Sequence, residues 1–541
     1  MLWQKNWPQQ DPLIPPLPSE PAFENIRRQA RENPAKVAVN FYGNELTYKR
    51  LDDASDRFAT GLLNLGVKKG DRVALYLENC PQFVIAFYGI LKMGGVVANC
   101  SPMYKADELE HELRDAGIET IVLLEHFYPV LGQVRERCGL KNVITTSFAD
   151  YLPAQPAIPI HPTMSMPNVS VPDAIDFKTL IEKTEVKLPP VAINLEEDIA
   201  LFQYTAGTTG LPKGAMLSHW NLAVHERCIR HYYQYTEKDI HLVVLPLFHV
   251  TGLDIAMNPA LAAGGTLILF ARFDLLPTLD VIQKYRPTVW VTITPINVAV
   301  LNVPGIENYD FSSLRLVLSG GAPVPIEIHK RWYEVTRSNI IEGYGLSEAC
   351  GGIVGNNQYK FTPGKVGSPL YYHDVKLMDV ESGQREVGVG QEGELWVKGP
   401  CVMKGYWNAP EQTKDVLRDG WLRTGDIATM DENGVFAIVG RMKEMIKVSG
   451  YAVFLAEVDA FLYKHPAVAE AATIGVPHPY RGEEPKSFIV LKPDFKGKVT
   501  EEEIIEWCKD KMSAYKHPRQ VVFVDSLPKS GSGKILKRLL K

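Results

Sequence analysis

The sequence predicts an α/β protein. Its large N-terminal domain is built of doubly wound α/β layers and carries a small β-rich subdomain, and a separate small α+β domain lies at the C-terminus. Three observations predict this. Short apolar runs alternate with helical spacings from residue 37 to 146 and again from Leu242 to Val354. From Gly364 to Val439 the pattern turns to short strands divided by glycine turns, as in Gly393-Glu394-Leu395-Trp396-Val397. At 541 residues the chain is too long for one core, since domains run to about 100–200 residues.

In chain order, residues 1–21 hold six prolines and little periodicity, which predicts an extended arm. Val37–Phe41 reads as a strand, Leu51–Leu65 as a helix, Arg72–Leu77 as a strand and Gln82–Leu91 as a helix. Gly95–Ala98, Ile121–Leu124 and Val143–Thr146 continue the series. Tyr151–Pro190 is proline-rich and aperiodic, a surface insertion. Ile199–Tyr204 and Ala215–Ser218 are strands, with a helix starting near Asn221. In the last hundred residues, helices are expected near Ala456–Tyr463 and Glu501–Lys511. Strands are expected near Ala471–Ile474, Ser487–Leu491 and Val521–Val524. Arg441-Met442-Lys443-Glu444 is the best linker candidate.

Composition excludes several classes. A net charge of −5 gives no bulk electrostatic reason to bind nucleic acid or an anionic membrane. Seven scattered cysteines without a C-x-x-C read as reduced thiols of a cytoplasmic protein, not as a disulfide frame or a zinc site. The N-terminus lacks the apolar core of a signal peptide. Ile255–Phe270 is interrupted by Asn258, Pro259 and Gly264-Gly265, so it reads as core and not as a membrane span. Peripheral membrane contact and a homodimer stay open.

The densest chemical signal is Thr205-Ala206-Gly207-Thr208-Thr209-Gly210-Leu211-Pro212-Lys213-Gly214. Glycines Gly207, Gly210 and Gly214 let backbone approach an anion, Thr205, Thr208 and Thr209 offer hydroxyl donors, and Lys213 adds a mobile charge. That is the composition of a polyphosphate loop. It joins two strands and lacks G-x-x-x-x-G-K-[S/T], so it is not a Walker A loop. Four further segments suit a nucleotide enzyme. Leu318–Pro323, with Gly321, Ala322 and Pro323, ends a strand in small residues where a flat base can lie. Glu342-Gly343-Tyr344-Gly345-Leu346-Ser347-Glu348 supplies an aromatic face, a hydroxyl and a carboxylate able to ligate Mg²⁺. Trp421–Asp426 sets Asp426 on a glycine turn, suited to ribose hydroxyls. Pro528–Lys534 puts Lys534 on a flexible loop near the C-terminus. Each alone has an ordinary structural reading, as a strand end, a turn or a solvated basic tail. Their joint order carries the argument.

With these motifs the chain resembles the adenylate-forming superfamily of acyl-CoA synthetases, luciferases and peptide-synthetase adenylation domains, and within it the medium- to long-chain fatty acyl-CoA ligases. The resemblance covers about Phe23 to Leu540. It implies ATP, Mg²⁺ and coenzyme A, with a small-molecule carboxylic acid as the other substrate. It further implies an N-terminal domain over 1–440, a hinge at 441–443 and a mobile C-terminal domain over 444–541, with the site between them. Lys534 then matches the adenylation lysine, and Asp426 and Arg441 the ribose and nucleotide contacts. Tyr344 matches the adenine-stacking aromatic and Glu348, with a loop threonine such as Thr205, the magnesium ligands. Lys443 falls at the hinge position and Gly450 beside the path of the pantetheine arm. His249, in Pro246–Gly252, aligns near the carboxylate site, although a lone histidine in an apolar segment is as often a core residue. Gly252–Leu261 reads equally as acyl-pocket lining or as helix core.

The chain departs from the pattern at Ala206, where serine is frequent, at Leu455, where proline is usual, and at Ala452, where a longer polar residue is frequent. The function implied is an ATP-dependent fatty acid–CoA ligase. An aryl- or short-chain acid ligase is the alternative within the class, and an inactive acyl or nucleotide binder the alternative outside it.

Overall fold

In a computed structural model of the chain, residues 2–9, 13–166, 169–205, 212–449, 451–531 and 533–541 are described. Two sheets form the scaffold of the large domain. One has seven strands in the spatial order Ile175–Asp176, Asn142–Thr146, Thr120–Leu124, Arg72–Tyr76, Val96–Asn99, Ile199–Thr205 and Lys213–Ser218. All its neighbours are parallel except the last pair, a hairpin. The other has nine, ordered Ser368–Pro369, Gly351–Gly355, Ile340–Leu346, Leu316–Ser319, Val289–Thr292, Ile240–Val243, Thr266–Leu269, Val37–Phe41 and Asn44–Thr47. Its middle six strands, from Ile340–Leu346 to Val37–Phe41, run parallel. Strands covered on both faces need apolar residues at every position, which is why Thr120–Leu124 and Val289–Thr292 are buried throughout.

Local signals set the helix starts. Thr47 Oγ1 accepts from the Arg50 amide at the head of Tyr48–Asn64. Ser218 and Asn221 form a reciprocal capping box at the head of His219–Tyr232, and Pro81 occupies the first turn of Pro81–Lys92. Among its described residues the predicted surface insertion holds a 3₁₀ turn, Pro162–Ser165, the two-residue edge strand Ile175–Asp176 and the helix Phe177–Lys183.

Two expectations need correction. The strand Val37–Phe41 does not join the sheet of Arg72–Tyr76 and Val96–Asn99. It sits in the nine-stranded sheet between its hairpin partner Asn44–Thr47 and the distant Thr266–Leu269, with which it runs parallel, and that second partner is set by long-range packing. Nor is the proline-rich start simply extended. Leu2–Asn6 forms a 3₁₀ turn, Trp7 is buried against Tyr371, and its indole donates to Pro369 O at 2.7 Å.

The β-rich unit is a sheet of Asp374–Met378, Gly393–Lys398, Trp421–Met430, Leu417–Arg418 and Phe436–Arg441. Beyond it the small domain has its own sheet: Tyr451–Phe454, Met445–Val448, Gly482–Leu491 and Val468–His478, with Gln520–Phe523 parallel to Gly482–Leu491. The helices Leu455–Leu462 and Glu501–Lys509 enclose a core of Ile446, Val453, Val458, Ile489 and Ile504, separate from the core of the large domain. The seven cysteines are free and buried. Among the described residues no helix is long and apolar enough to cross a membrane.

Candidate active site

Ligands of open α/β sheets lie beyond the carboxyl ends of the parallel strands, where chain reversals leave a crevice. Leu316–Ser319 and Ile340–Leu346 are neighbours whose carboxyl ends open on one side, with Ser319 opposite Glu342. Gly321 turns at φ +80°, a conformation that suits glycine, and Gly321, Ala322 and Pro323 are exposed there. Residues Gly343, Tyr344, Gly345 and Ser347 are half-buried along the same crevice. Glu342 differs from its neighbours. Its carboxylate is buried and accepts from the Val324 amide (2.9 Å), the Gly364 amide (2.9 Å) and His329 Nε2 (2.7 Å). The side chain therefore fixes the Gly321–Pro323 turn and does not point into the crevice.

Asp426 and Arg441 are cross-strand partners in the β-rich sheet. The turn before Asp426 is braced locally. The Thr424 hydroxyl donates to Leu395 O (2.7 Å) and accepts from the Asp426 amide (3.1 Å). Asp426 is buried. Tyr344 OH donates to its Oδ2 at 2.5 Å and Arg441 Nε to its Oδ1 at 2.9 Å. Burial pushes the carboxyl up from its ordinary range, and Arg441, Tyr344 and Lys534 oppose that push.

On the other side stands the hairpin of the phosphate-loop motif, with Thr205 opposite Lys213 in register. Gly207, Thr208, Thr209 and Gly210 lie outside the described residues, as does Gly450. The turn Ser347–Ala349, which carries Glu348, packs against both strands of the hairpin. Sequence reasoning missed the residue that joins them. Tyr406 OH donates to Glu348 Oε1 at 2.7 Å, and Lys213 Nζ lies over the Tyr406 ring, 5.2 Å from its centroid. The only signal was an aromatic pair after a glycine, Gly405-Tyr406-Trp407, in a segment without periodicity.

The C-terminal loop closes the crevice. Ser530 and Lys534 are tied by Ser530 N–H to Lys534 O (2.7 Å), and Gly533 N–H donates to Ser530 O (2.8 Å). Gly531 is so close to Met103, Phe248 and Ser101 that an added Cβ would lie 2.8, 3.3 and 3.4 Å from them. A Cβ on Gly321 would lie 3.4 Å from Lys534 Cε. Lys534 keeps an open face to solvent within the crevice, yet its protein walls lower the ammonium pKa, as does Arg441. Asp426 and Glu348 raise it. His249 is brought to the same place. Burial, and then the Lys534 charge, lower it to about 3, so it is neutral. Its Nδ1 accepts from the Thr251 amide at 3.3 Å, which leaves the ring proton on Nε2. The sequence-predicted Lys213, Glu348, Tyr344, Asp426, Arg441, His249 and Lys534 thus converge on one crevice between the two domains.

Charges of both signs around a flat aromatic face, closed by a lysine from a second domain, make this a nucleotide-binding enzyme site of the two-domain kind. The chain belongs to the AMP-binding enzyme family: the family profile matches residues 26–407, and that of the AMP-binding enzyme C-terminal domain matches 457–534. It is 39% identical to a long-chain-fatty-acid–CoA ligase of Bacillus subtilis, over 99% of this chain and 97% of that one. It is 35% identical to a feruloyl-CoA synthase of an Amycolatopsis species, over 94% of this chain and 96% of that one. The crystal structure of an anthranilate CoA ligase in complex with anthranoyl-AMP superposes with a TM-score of 0.86 at 27% identity, covering 98% of each chain.

Proposed function

We propose that this protein is an ATP-dependent fatty acid–CoA ligase. The observation that carries the adenylating half is the seat of Lys534, in the crevice beside Gly321 and within electrostatic reach of Asp426, Glu348 and Arg441. The acid class rests on the long-chain-fatty-acid–CoA ligases among its relatives.

A carboxylate is a poor acyl donor because its leaving group would be oxide. In the reading proposed, a carboxylate oxygen attacks the α-phosphorus of ATP, the bond to the pyrophosphate oxygen breaks, and an acyl-adenylate forms. The thiol of CoA then forms a C–S bond as the C–O bond to AMP breaks, and the thiol proton leaves to solvent. The first step joins an anion to a polyanion, so the residues must neutralise charge; no protein nucleophile is needed. Tyr344 would stack on adenine, Asp426 and Arg441 would hold the ribose, and the backbone of Gly321–Pro323 would frame the base. Lys213 and the Thr205–Gly210 loop would take the β- and γ-phosphates, and Lys534 the α-phosphate. The Nε2 proton of His249 would be offered to the acid's carboxylate.

Mg²⁺ fits this donor set. Glu348, on the turn Ser347–Ala349, and Thr205, at the end of the strand Ile199–Thr205, would offer it two hard oxygen donors. That matches an ion which keeps waters and arrives with phosphates. Bound there, it would supply charge neutralisation to the triphosphate. For the second step, Gly450 would flank the pantetheine arm. The exposed turn at Lys443, between 1–440 and 444–541, would let the small domain rotate. The separate cores of the two domains support such a hinge.

The feruloyl-CoA synthase and the anthranilate CoA ligase favour a second reading, an aryl-acid ligase. The test is AMP release with ATP, Mg²⁺ and CoA over octanoate, palmitate, ferulate, benzoate and acetate. The fatty acids are expected to give the highest kcat/KM. A preference for ferulate or benzoate moves the protein to the second reading, and AMP release with none of the acids removes the ligase assignment.

A further inference from the structure

The segment Met403–Trp407 is stitched to the crevice through its backbone amides and carbonyls. Met403 N–H donates to Glu348 O (2.8 Å), Lys404 N–H to Met216 O (2.9 Å), Met216 N–H to Gly405 O (2.9 Å) and Trp407 N–H to Gly214 O (2.8 Å). The Tyr406 amide donates to Thr413 Oγ1 at 2.9 Å. Five hydrogen bonds thus fix where the Tyr406 side chain begins, so its contacts are set by the fold and not by a freely turning surface chain. From that base the side chain touches two charged groups of opposite sign. Its hydroxyl donates to Glu348 Oε1 (2.7 Å), and its ring face receives Lys213 Nζ (5.2 Å).

From this geometry we infer that Tyr406 is a positioning residue for the metal and the phosphates: its hydroxyl holds the Glu348 carboxylate in its ligating orientation, and its ring restrains the Lys213 ammonium at the end of the hairpin. Without the hydroxyl, a carboxylate facing a polyanion has reason to swing away, and the ion must then pull it back. Such outer hydrogen bonds to a ligating carboxylate orient it and tune its metal affinity. The ring acts separately, since a lysine over an aromatic face is attracted to the ring quadrupole and gives up part of its side-chain freedom. The inference rests on the assignment of Glu348 to the metal.

The two arms come apart by substitution. Tyr406→Phe deletes one oxygen and keeps the ring, so the fold is retained. Tyr406→Leu deletes both contacts. In the intact protein saturated with a non-hydrolysable ATP analogue, Mn²⁺ binding is read from the electron paramagnetic resonance signal, beside Glu348→Gln as reference. Tyr406→Phe is expected to weaken Mn²⁺ by about tenfold while leaving KM for ATP at saturating Mg²⁺ near the parent value. Tyr406→Leu is expected to weaken Mn²⁺ equally and to raise KM for ATP a further ~threefold through Lys213. An unchanged Mn²⁺ affinity in Tyr406→Phe, with a weakened one in Glu348→Gln, overturns the inference alone. An unchanged affinity in Glu348→Gln removes the metal reading, and the inference with it. Equal KM for ATP in the Leu and Phe variants overturns the lysine arm.

Discussion

Lys534 reaches the crevice from a loop seven residues short of the C-terminus, and its charge is coupled there to Arg441, Asp426, Glu348 and His249. An ammonium beside a guanidinium is costly until a polyanion joins them. In the reaction proposed, binding of a triphosphate at Lys534 would turn that repulsion into attraction. One charge pair at ~4 Å and an effective dielectric near 20 is worth roughly 4 kcal/mol, or about a thousandfold in rate. Lys534→Ala should accordingly slow acyl-adenylate formation, measured by pyrophosphate exchange, by roughly a hundred- to a thousandfold. Thioester formation from supplied acyl-adenylate and CoA should stay within a few-fold of the parent. Equal loss in both half-reactions would mean that Lys534 serves binding or folding in general. Glu342 shows the opposite case. It stands in the same motif as Tyr344 and Glu348, yet its oxygens are engaged by Val324, His329 and Gly364. A motif read as sequence cannot separate a ligand-facing carboxylate from one that braces the turn beside it. That difference lies in side-chain direction.

At the scale of elements, the segment Gly252–Leu261 was legible as apolar but not as a shape. It folds as a π-helix, Thr251–Met257, running into the short helix Asn258–Ala262. A Cβ on Gly252 would collide with the Pro246 carbonyl, so the wide turn closes against the loop after Ile240–Val243 that carries His249. Within it Asp254 is buried. Asn258 Nδ2 donates to its Oδ1 at 2.7 Å, and its Oδ2 has no hydrogen-bond partner among the described residues. Burial raises this carboxyl to about 8. An unfolded aspartate ionises near pH 4, so between there and about pH 8 the folded protein holds one proton more than the unfolded chain. Stability from this group is whole below about pH 4 and is lost as pH rises, at up to ~1.4 kcal/mol per pH unit. Asp254→Asn keeps the acceptor for Asn258 and cannot ionise. Its thermal midpoint should pull ahead of the parent's steadily from pH 5 to 8 and then hold a constant lead; parallel curves would sink this. Most strands were legible from their short runs of apolar and β-branched residues: Thr120–Leu124 and Asn142–Thr146 lie within a residue of their predicted limits. Pairing was not. Val37–Phe41 crosses to Thr266–Leu269, and Tyr406 meets Glu348 from 58 residues away. No local spacing encodes either contact.

At the scale of the whole molecule, two separately cored domains meet at the candidate site. The large domain brings the ends of the strands Ile199–Thr205 and Lys213–Ser218, with Glu348, Tyr344 and Asp426, and the small one brings Lys534. If the proposed reaction is right, the face that delivers Lys534 must leave before a thiol can approach, so holding the domains in the present arrangement should separate the two steps. The structure offers a place to do so. A Cβ on Gly531 would lie 3.4 Å from Ser101 Oγ, near the separation of a cysteine Cβ from its partner sulfur, and the exposed Met103 side chain beside it has room to yield. The native cysteines are buried and leave an introduced pair to react with itself. Ser101→Cys with Gly531→Cys should therefore form a disulfide that locks Lys534 in the crevice. The oxidised protein should keep pyrophosphate exchange within a few-fold of its reduced form and lose CoA-dependent AMP release, which a reductant should restore. Full CoA transfer in the cross-linked protein would show that one arrangement serves both steps, and rotation about Lys443 would have to be abandoned.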